Sequence, residues 1–285
     1  MAISAAAVKE LRDKTGAGMM DCQRALTEAG GDLEEAVKIL RKKGLSAAAK
    51  KAGRTAKDGL VAVSVTADGS KAGIVELNCE TDFVARTERY QAFVQRLADQ
   101  VRDEGLADAA AALERPMAGD AEHTIAQAIA SEIATIGENI LLSRAASIDA
   151  GAGMKVGSYL HMGGKIGVLV EISEGADVEV VKDVAMHIAA ADPRFVSRDA
   201  VPEAVIEEER EIAKAQVPPG KPEQVVEKIV EGKLGKFFEQ ACLVEQAFVK
   251  NPDQKVGDLL AASGGAKVTS FVRFRLGEGT AAEQA

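Results

Sequence analysis

The stretch "GLVAVSVTADGSKAGIVELNCETDFVAR", residues 59–86, decides how the fold is read. Its first part sets Leu60, Ala62 and Ser64 against Val61, Val63 and Val65, the period-two alternation of a strand with two unlike faces. "ADGS" (67–70) supplies turn residues and "KAGIVELNC" (71–79) returns, so the spacing predicts a β-hairpin. The period then changes. Tyr90, Phe93, Val94, Leu97 and Val101 recur at helical intervals and give a helix one apolar face. Between strand and helix lies "ETDFVAR" (80–86), where an aromatic stands beside an acid. Two readings fit it. In one, Thr81 or Asp82 caps a helix that runs through, and Phe83 is core, in phase with Tyr90. In the other, Thr87 is the cap, the helix starts near Glu88, and Thr81 to Val84 form an exposed loop. Spacing alone does not choose between them.

The same order recurs further on. "GSYLHMGGKIGVLVEIS" (157–173) is a second hairpin turning at Gly163-Gly164, and "VEVVKDVAMHIAAA" (178–191) is a helix with Val180, Val184, His187 and Ile188 on one side. "AKVTSFVRFRL" (266–276) alternates as a closing strand, and "ENILLSRAASI" (138–148) closes the first copy after a helix marked by Ile125, Ile129, Ile133 and Ile136. Hairpin, helix and closing strand thus occur twice, an α+β pattern. A long insertion interrupts the second copy. In "VPEAVIEEEREIAKAQV" (201–217), Val205, Ile206, Glu209, Ile212 and Ala213 keep helical spacing. "PPGKP" (218–222) forces a reversal, and "EQVVEKIVEGKLGKFFEQ" (223–240) runs back as an antiparallel helical hairpin. Val225 falls outside a single apolar seam and leans towards a partner. The alanine-rich segment 108–122, with Pro116, reads as a loop or loosely placed insertion.

The first 45 residues read as three short helices. Val8 and Leu11 belong to the first, Met19, Met20, Ala25 and Leu26 to the second, and Asp32 caps a third with Leu33, Ala36, Val37 and Leu40. So small a unit, followed by a basic segment, reads as a tethered module. The expected organisation is a three-helix module at 1–45, a basic linker at 46–57 and a first core half at 58–149. A second half follows at 150–198 and 240–279, with the helical hairpin at 199–239 and a tail at 280–285.

Composition sets the outer limits. Of 285 residues, 47% are hydrophobic and 28% charged, as in an ordinary soluble globular protein, while aromatics reach only 4% and Trp is absent. The cores must therefore be aliphatic and rich in alanine. A net charge of −9 argues against the whole chain binding nucleic acid, since phosphate affinity rests on Lys and Arg. Residues 1–57 nevertheless carry 12 basic and 7 acidic side chains, and "RKKGLSAAAKKAGRTAK" (41–57) has seven cations and no acid. That run is either a solvated linker or a surface facing an acidic partner or RNA. Cys22, Cys79 and Cys242 are odd in number and widely spaced, which fits a reducing cytoplasm better than a disulfide framework or zinc site. No run reaches the ~18 apolar residues of a membrane span, and the N-terminus lacks a signal-peptide core, so a soluble cytoplasmic protein is expected.

Catalytic signals are missing. Gly163-Gly164-Lys165 is followed by Ile166 rather than Ser or Thr, and "GAGMKVG" (151–157) lacks the strand-and-helix setting of a dinucleotide site. His123, His161 and His187 stand far apart, and no G-x-S-x-G occurs. Glu207, Glu208 and Glu209 read as a solvated face. The expectation is a protein that is not an enzyme, with no catalytic residue, metal or cofactor. His161, just before a glycine turn, reads by itself as a surface histidine.

Two longer stretches carry a resemblance. "LRDKTGAGMMDCQRAL" (11–26) and "ELNCETDFVAR" (76–86) closely resemble the signature stretches of the bacterial elongation factor Ts family. "KKAG" (50–53), "SYLHMGGKIGVLV" (158–170), "AMHIAA" (185–190), "GKPEQVVEKIVEGKL" (220–234), "EQAFVKNP" (245–252) and "SFVRFRLGEG" (270–279) extend the likeness over about residues 3–279. The resemblance implies a guanine-nucleotide exchange factor for the GTPase elongation factor Tu, binding its GDP-bound and nucleotide-free forms. It implies a three-helix module like a ubiquitin-associated domain, two related α+β core halves with antiparallel sheets, and an inserted antiparallel coiled-coil hairpin. That hairpin would serve homodimerisation or reach a partner. Thr81, Asp82, Phe83 and Val84 would form the loop that dislocates Mg²⁺ from elongation factor Tu, with Phe83 as the wedge. Arg12, Met19, Met20, His161 and Val249 would be further partner contacts, and for His161 this reverses the surface reading. Gln23 stands where many relatives have Lys. Segment 106–124 looks longer than in some relatives and is expected as a surface loop. A C-terminal helix found in some members looks missing after "RLGEGTAAEQA" (275–285).

Overall fold

The computed structural model describes residues 3–278, so the tail at 280–285 and the expectation about a C-terminal helix lie outside the described residues. The chain opens with α1 (Ala5–Thr15), α2 (Met19–Glu28) and α3 (Leu33–Lys51). Next come β1 (Asp58–Val65), β2 (Lys71–Cys79), α4 (Asp82–Ala85), α5 (Glu88–Glu104), α6 (Ala109–Leu113), β3 (Pro116–Met117) and β4 (Asp120–Thr124). Then follow α7 (Ile125–Ile136), β5 (Ile140–Asp149), β6 (Met154–His161), β7 (Ile166–Ser173), α8 (Val178–Ala191), α9 (Glu203–Ala215) and α10 (Glu223–Ala241). The described chain ends with β8 (Ala247–Phe248), β9 (Asn251–Lys255), α11 (Val256–Ala262) and β10 (Val268–Arg275). The fold is α+β.

Two sheets share one plan. Their strand orders are β1-β2-β5 and β10-β7-β6, so in each a hairpin is extended by a closing strand beside its second member. By contacts the chain divides into two compact units. One holds the chain up to Ala62, Val75–Ser147 and the chain from Phe274; the other holds Val63–Ile74 and Ile148–Arg273. In the first unit the apolar face of α5 buries Tyr90, Phe93, Val94, Leu97 and Val101 against Val75, Leu77 and Cys79 of β2 and Ile125, Ile129 and Ile133 of α7. The Tyr90 hydroxyl donates to the Leu77 carbonyl at 2.7 Å, which satisfies a fully buried phenol. In the second unit Val168, Val170 and Ile172 of β7 meet Val181, Val184 and Ile188 of α8. Gly157 lets that helix approach, since a Cβ there would lie 2.1 Å from Val181 Cγ1.

The repeat goes further than the alternation of the sequence suggested. β3 pairs with β4 through Met117↔Asp120, and β8 pairs with β9 through Phe248↔Asn251, each with a register shift after its first residue. Each small hairpin leads directly into a helix, where Ile125 N donates to Arg115 O at 2.8 Å and Val256 N to Gln246 O at 3.0 Å. This corrects the expectation for 108–122 and for a surface loop at 106–124. The segment is ordered as α6, β3 and β4, with Ala112 and Met117 in the core, and it is the counterpart of β8 and β9. Strands of two residues are too short for period-two alternation to reveal.

The N-terminal helices also depart from expectation. α3 does not end near residue 45 but continues to Lys51, because "SAAAKK" is strong helix-forming sequence with no glycine between Gly44 and Gly53. Nor is the module loosely tethered. α3 packs on α7, and Gly44 lies beside Ala134. Arg41 pairs with Glu122 at 3.3 Å, and Lys51 Nζ donates to Ile133 O at 3.4 Å. The inserted helices α9 and α10 pack through Ala213, Val230, Leu234 and Phe238. Their entry and exit segments meet in a parallel bridge between Phe195 and Cys242, and Leu243 N donates to Phe195 O at 2.8 Å. Among the described residues no helix is long and apolar enough to cross a membrane.

Candidate functional site: an exposed phenylalanine on a capped turn

At "ETDFVAR" neither sequence reading is complete, because the chain makes two helices where each reading had one. Thr81 is extended (φ −131°, ψ 151°) and caps the single turn α4, its hydroxyl accepting from Val84 N at 3.4 Å. Thr87 then caps α5, accepting from Tyr90 N at 3.3 Å and donating to Val84 O at 2.8 Å. The break between the helices takes Phe83 out of phase with Tyr90. Ala85 faces inward and is buried, while Phe83 is 79% exposed, more than any other large hydrophobic side chain among the described residues. Burying a phenylalanine contributes about 1.5–3 kcal/mol. The turn forgoes that gain and holds the ring in water. Asp82, the first residue of α4, pairs with Arg86 at 2.7 Å.

The turn is held from beneath. Glu138, between α7 and β5, accepts through Oε2 from the backbone N–H of Glu80 and of Thr81, each at 3.0 Å. Its Oε1 accepts from the Thr81 hydroxyl at 2.6 Å. In return, Glu80 Oε1 accepts from Asn139 N at 2.7 Å, so the two segments clasp each other's backbone. The Cys79 thiol donates to Thr81 O at 3.1 Å, and burial pushes its pKa up to about 11, which keeps it a donor. Sequence reading missed Glu138. Nothing in "GEN" marks a carboxylate that acts on a turn 57 residues earlier in the chain.

Arg12, Met19 and Met20 flank the turn between α1 and α2. Arg12 lies in the last turn of α1, and the methionines open α2 behind the N-cap Gly18, at 59% and 66% exposure. That turn rests against α5 and α7: a Cβ on Gly16 would lie 2.9 Å from the Arg89 guanidinium, which pairs with Glu132 at 2.8 Å. Two large apolar side chains thus point into solvent from a docked support.

In the second unit His161 and Val249 come together. Both line a hollow of about 270 Å³ with Tyr159, Met186, Ala189, Ala190 and Lys250. The His161 ring stacks on Tyr159 with centroids 6.0 Å apart, and Val249 is 42% exposed at the β8–β9 turn. His187 lies beneath, fully buried. Its Nδ1 accepts from Val249 N at 3.2 Å, and its Nε2 faces Gln246 Oε1 at 2.9 Å. Gln246 Nε2 donates to Gln240 O at 2.6 Å, so its oxygen must accept and His187 Nε2 must carry the proton. Burial lowers the His187 pKa against the opposing effect of the Gln246 bond, and the ring is neutral.

A family model described as Elongation factor TS matches residues 80–278. A protein of Trichlorobacter lovleyi named Elongation factor Ts is 48% identical over 293 residues, covering 98% of this chain and 94% of that relative. The chain belongs to the elongation factor Ts family.

Elongation factor Ts is by its name a factor of translation elongation, and two features of this chain bear on how it meets other molecules. The basic run 41–57 is largely engaged inside the chain: Arg41 with Glu122, Lys43 with Glu28, Lys51 with Ile133 O and Arg54 with Glu80. Among the described residues no group of three or more His, Cys, Asp or Glu is arranged to hold a metal ion. Apolar side chains that face solvent in this chain include Phe83, the Met19–Met20 pair and Val249 in the hollow beside His161, with Met162 and Val178 also exposed.

Proposed function

We propose that the chain is a guanine-nucleotide exchange factor that binds elongation factor Tu, ejects GDP and admits GTP without covalent catalysis. The observation that carries this reading is Phe83, presented to solvent on a turn fixed by Thr81 and Glu138. Exchange is a matter of linkage. A protein that binds the empty GTPase more tightly than the GDP form must weaken GDP binding by the same factor. A weakening of 10⁴-fold needs roughly 5.5 kcal/mol of differential contact. One economical source is the Mg²⁺ that bridges GTPase and phosphates, since displacing it leaves phosphate charge uncompensated. A rigid apolar group that protrudes is suited to wedge between the side chains around that ion. Phe83 is that group, Asp82 and Arg86 brace the turn, and Thr81 and Val84 keep its shape.

The remaining contacts follow the family resemblance. Arg12, Met19 and Met20 touch the GTPase from the N-terminal helices, which form a ubiquitin-associated-like module. His161 and Val249 touch it from the hollow in the second unit, and α9–α10 act as a coiled-coil arm for homodimerisation or for a partner. The division into an N-terminal module, two core halves and the hairpin at 199–239 is part of this reading, with the module running through α3 to Lys51, as is a cytoplasmic location. The test is release of fluorescently labelled GDP from elongation factor Tu with and without the protein. Acceleration by orders of magnitude is expected at micromolar protein, and no acceleration overturns the proposal.

A further inference from the structure

We infer that Glu138 is a positioning residue for exchange: it sets the direction in which Phe83 projects, without itself meeting the partner. The inference rests on the exchange reading and adds to it a residue outside the Thr81–Val84 turn. Three bonds from one carboxylate fix the backbone N–H of Glu80, the backbone N–H of Thr81 and the Thr81 hydroxyl. Two of the three fall on Thr81, the residue that caps α4. With its hydroxyl proton committed to Glu138, Thr81 Oγ1 is left with lone pairs facing Val84 N. Glu138 therefore fixes where α4 begins and, with Ala85 buried at the other end of the turn, which way it points. Phe83 is the second residue of that helix. A helix of one turn has little stability of its own and takes its axis from its cap. Without the carboxylate, Glu80 and Thr81 can bond water instead, and α4 loses its fixed bearing on β2.

The clasp is reciprocal, which separates the orienting role from the sheet. Glu80 still holds Asn139 N and pairs with Arg54 at 3.4 Å when Glu138 is removed, so the junction of α7 and β5 keeps a tie of its own. Tyr90 keeps α5 in the core and Ala85 keeps the end of α4 there, so it is the start of α4 that is released. The loss should then appear in the turn rather than in the fold.

Glu138→Ala and Glu138→Gln are compared with the wild type in labelled-GDP release from elongation factor Tu, as a function of factor concentration. Amide hydrogen exchange is followed in the free proteins. Glutamine can accept both backbone N–H groups through its oxygen and donate to the Thr81 oxygen, so it restores geometry with weaker bonds. The expected result for Glu138→Ala is a loss of about tenfold in the maximal release rate, with the half-saturating concentration changed less than about threefold. Glu138→Gln should recover to within about threefold of wild type. Exchange at the Glu80 and Thr81 amides should rise at least tenfold in the alanine variant only, with its circular dichroism unchanged. A maximal rate for Glu138→Ala within twofold of wild type overturns the inference, as does a glutamine variant no better than alanine. A wild type that gives no acceleration overturns the exchange reading instead, and amide exchange still reports on the clasp.

Discussion

His187 and Gln100 do the same work in the two halves of the repeat. His187 Nδ1 accepts the amide of Val249, the residue after β8, and Gln100 Oε1 accepts the amide of Ala118, the residue after β3, at 2.9 Å. Each side chain is buried on the core-facing side of its helix and pins a two-residue strand that carries no long ladder of its own. One half uses an imidazole and the other a carboxamide, and only the imidazole titrates near neutrality.

His187→Gln should therefore be tolerated. A glutamine can accept from Val249 N and donate to Gln246, so stability at pH 7.5 is expected within about 1 kcal/mol of wild type. His187→Ala strands both partners and opens a cavity, and should cost about 2–4 kcal/mol. Urea unfolding of the three proteins checks the order.

The same position predicts a pH effect. Because burial lowers the folded pKa of His187 below its ordinary 6.5, the unfolded chain binds more protons just below that pH. Its contribution is fully present above pH 6.5 and declines as pH falls from there towards the folded value. Wild type minus His187→Gln, measured by unfolding between pH 7.5 and 5, should show this slope. Equal slopes would mean that the ring is not held neutral.

Phe83→Ala should leave stability within about 0.5 kcal/mol, since the ring buries little, while GDP release from elongation factor Tu falls by more than tenfold. Unfolding of the variant would restore the reading in which Phe83 is core. Met19→Ala with Met20→Ala is expected to spare the fold likewise and to raise the half-saturating concentration, which titration of elongation factor Tu measures.

Gly59→Ala should fail. The backbone φ of 138° is open only to glycine, and a Cβ would fall 2.1 Å from the Leu77 carbonyl oxygen. Insoluble or unfolded protein is expected on expression, whereas alanine at Gly53, whose Cβ meets nothing within 4 Å, should behave as wild type.

Much of the architecture was legible because long apolar patterns report it. α5 buries the face that its spacing predicts, and α8 buries Val184, His187 and Ile188 of its predicted side, whereas in the α9–α10 pair only Ala213 and Val230 of the predicted positions are buried and Ile212 faces solvent. What escaped was short or relational. β3 and β8 are too brief for a pattern, and α3 runs past Gly44, whose φ is ordinary for a helix, into the helix-forming "SAAAKK". Periodicity stalled at Phe83, where the deciding fact is a break between two caps, Thr81 and Thr87. Glu138 left no local trace, since its role exists only once the segments around 80 and 138 lie side by side. The proposed contact residues came from family likeness; only in the fold do His161 and Val249 share a hollow.

The bridge between Phe195 and Cys242 means that the chain leaves the second sheet's domain and re-enters it at the same spot, with the two crossings about 4.8 Å apart. An excursion of that kind is a detachable cassette. The outer turns of its two helices, away from Gln240 and Ala241, could be shortened or lengthened without disturbing the bonds that tie Gln246 to Gln240 and to His187 of α8, so the length of the hairpin can evolve on a different schedule from the turn that carries Phe83.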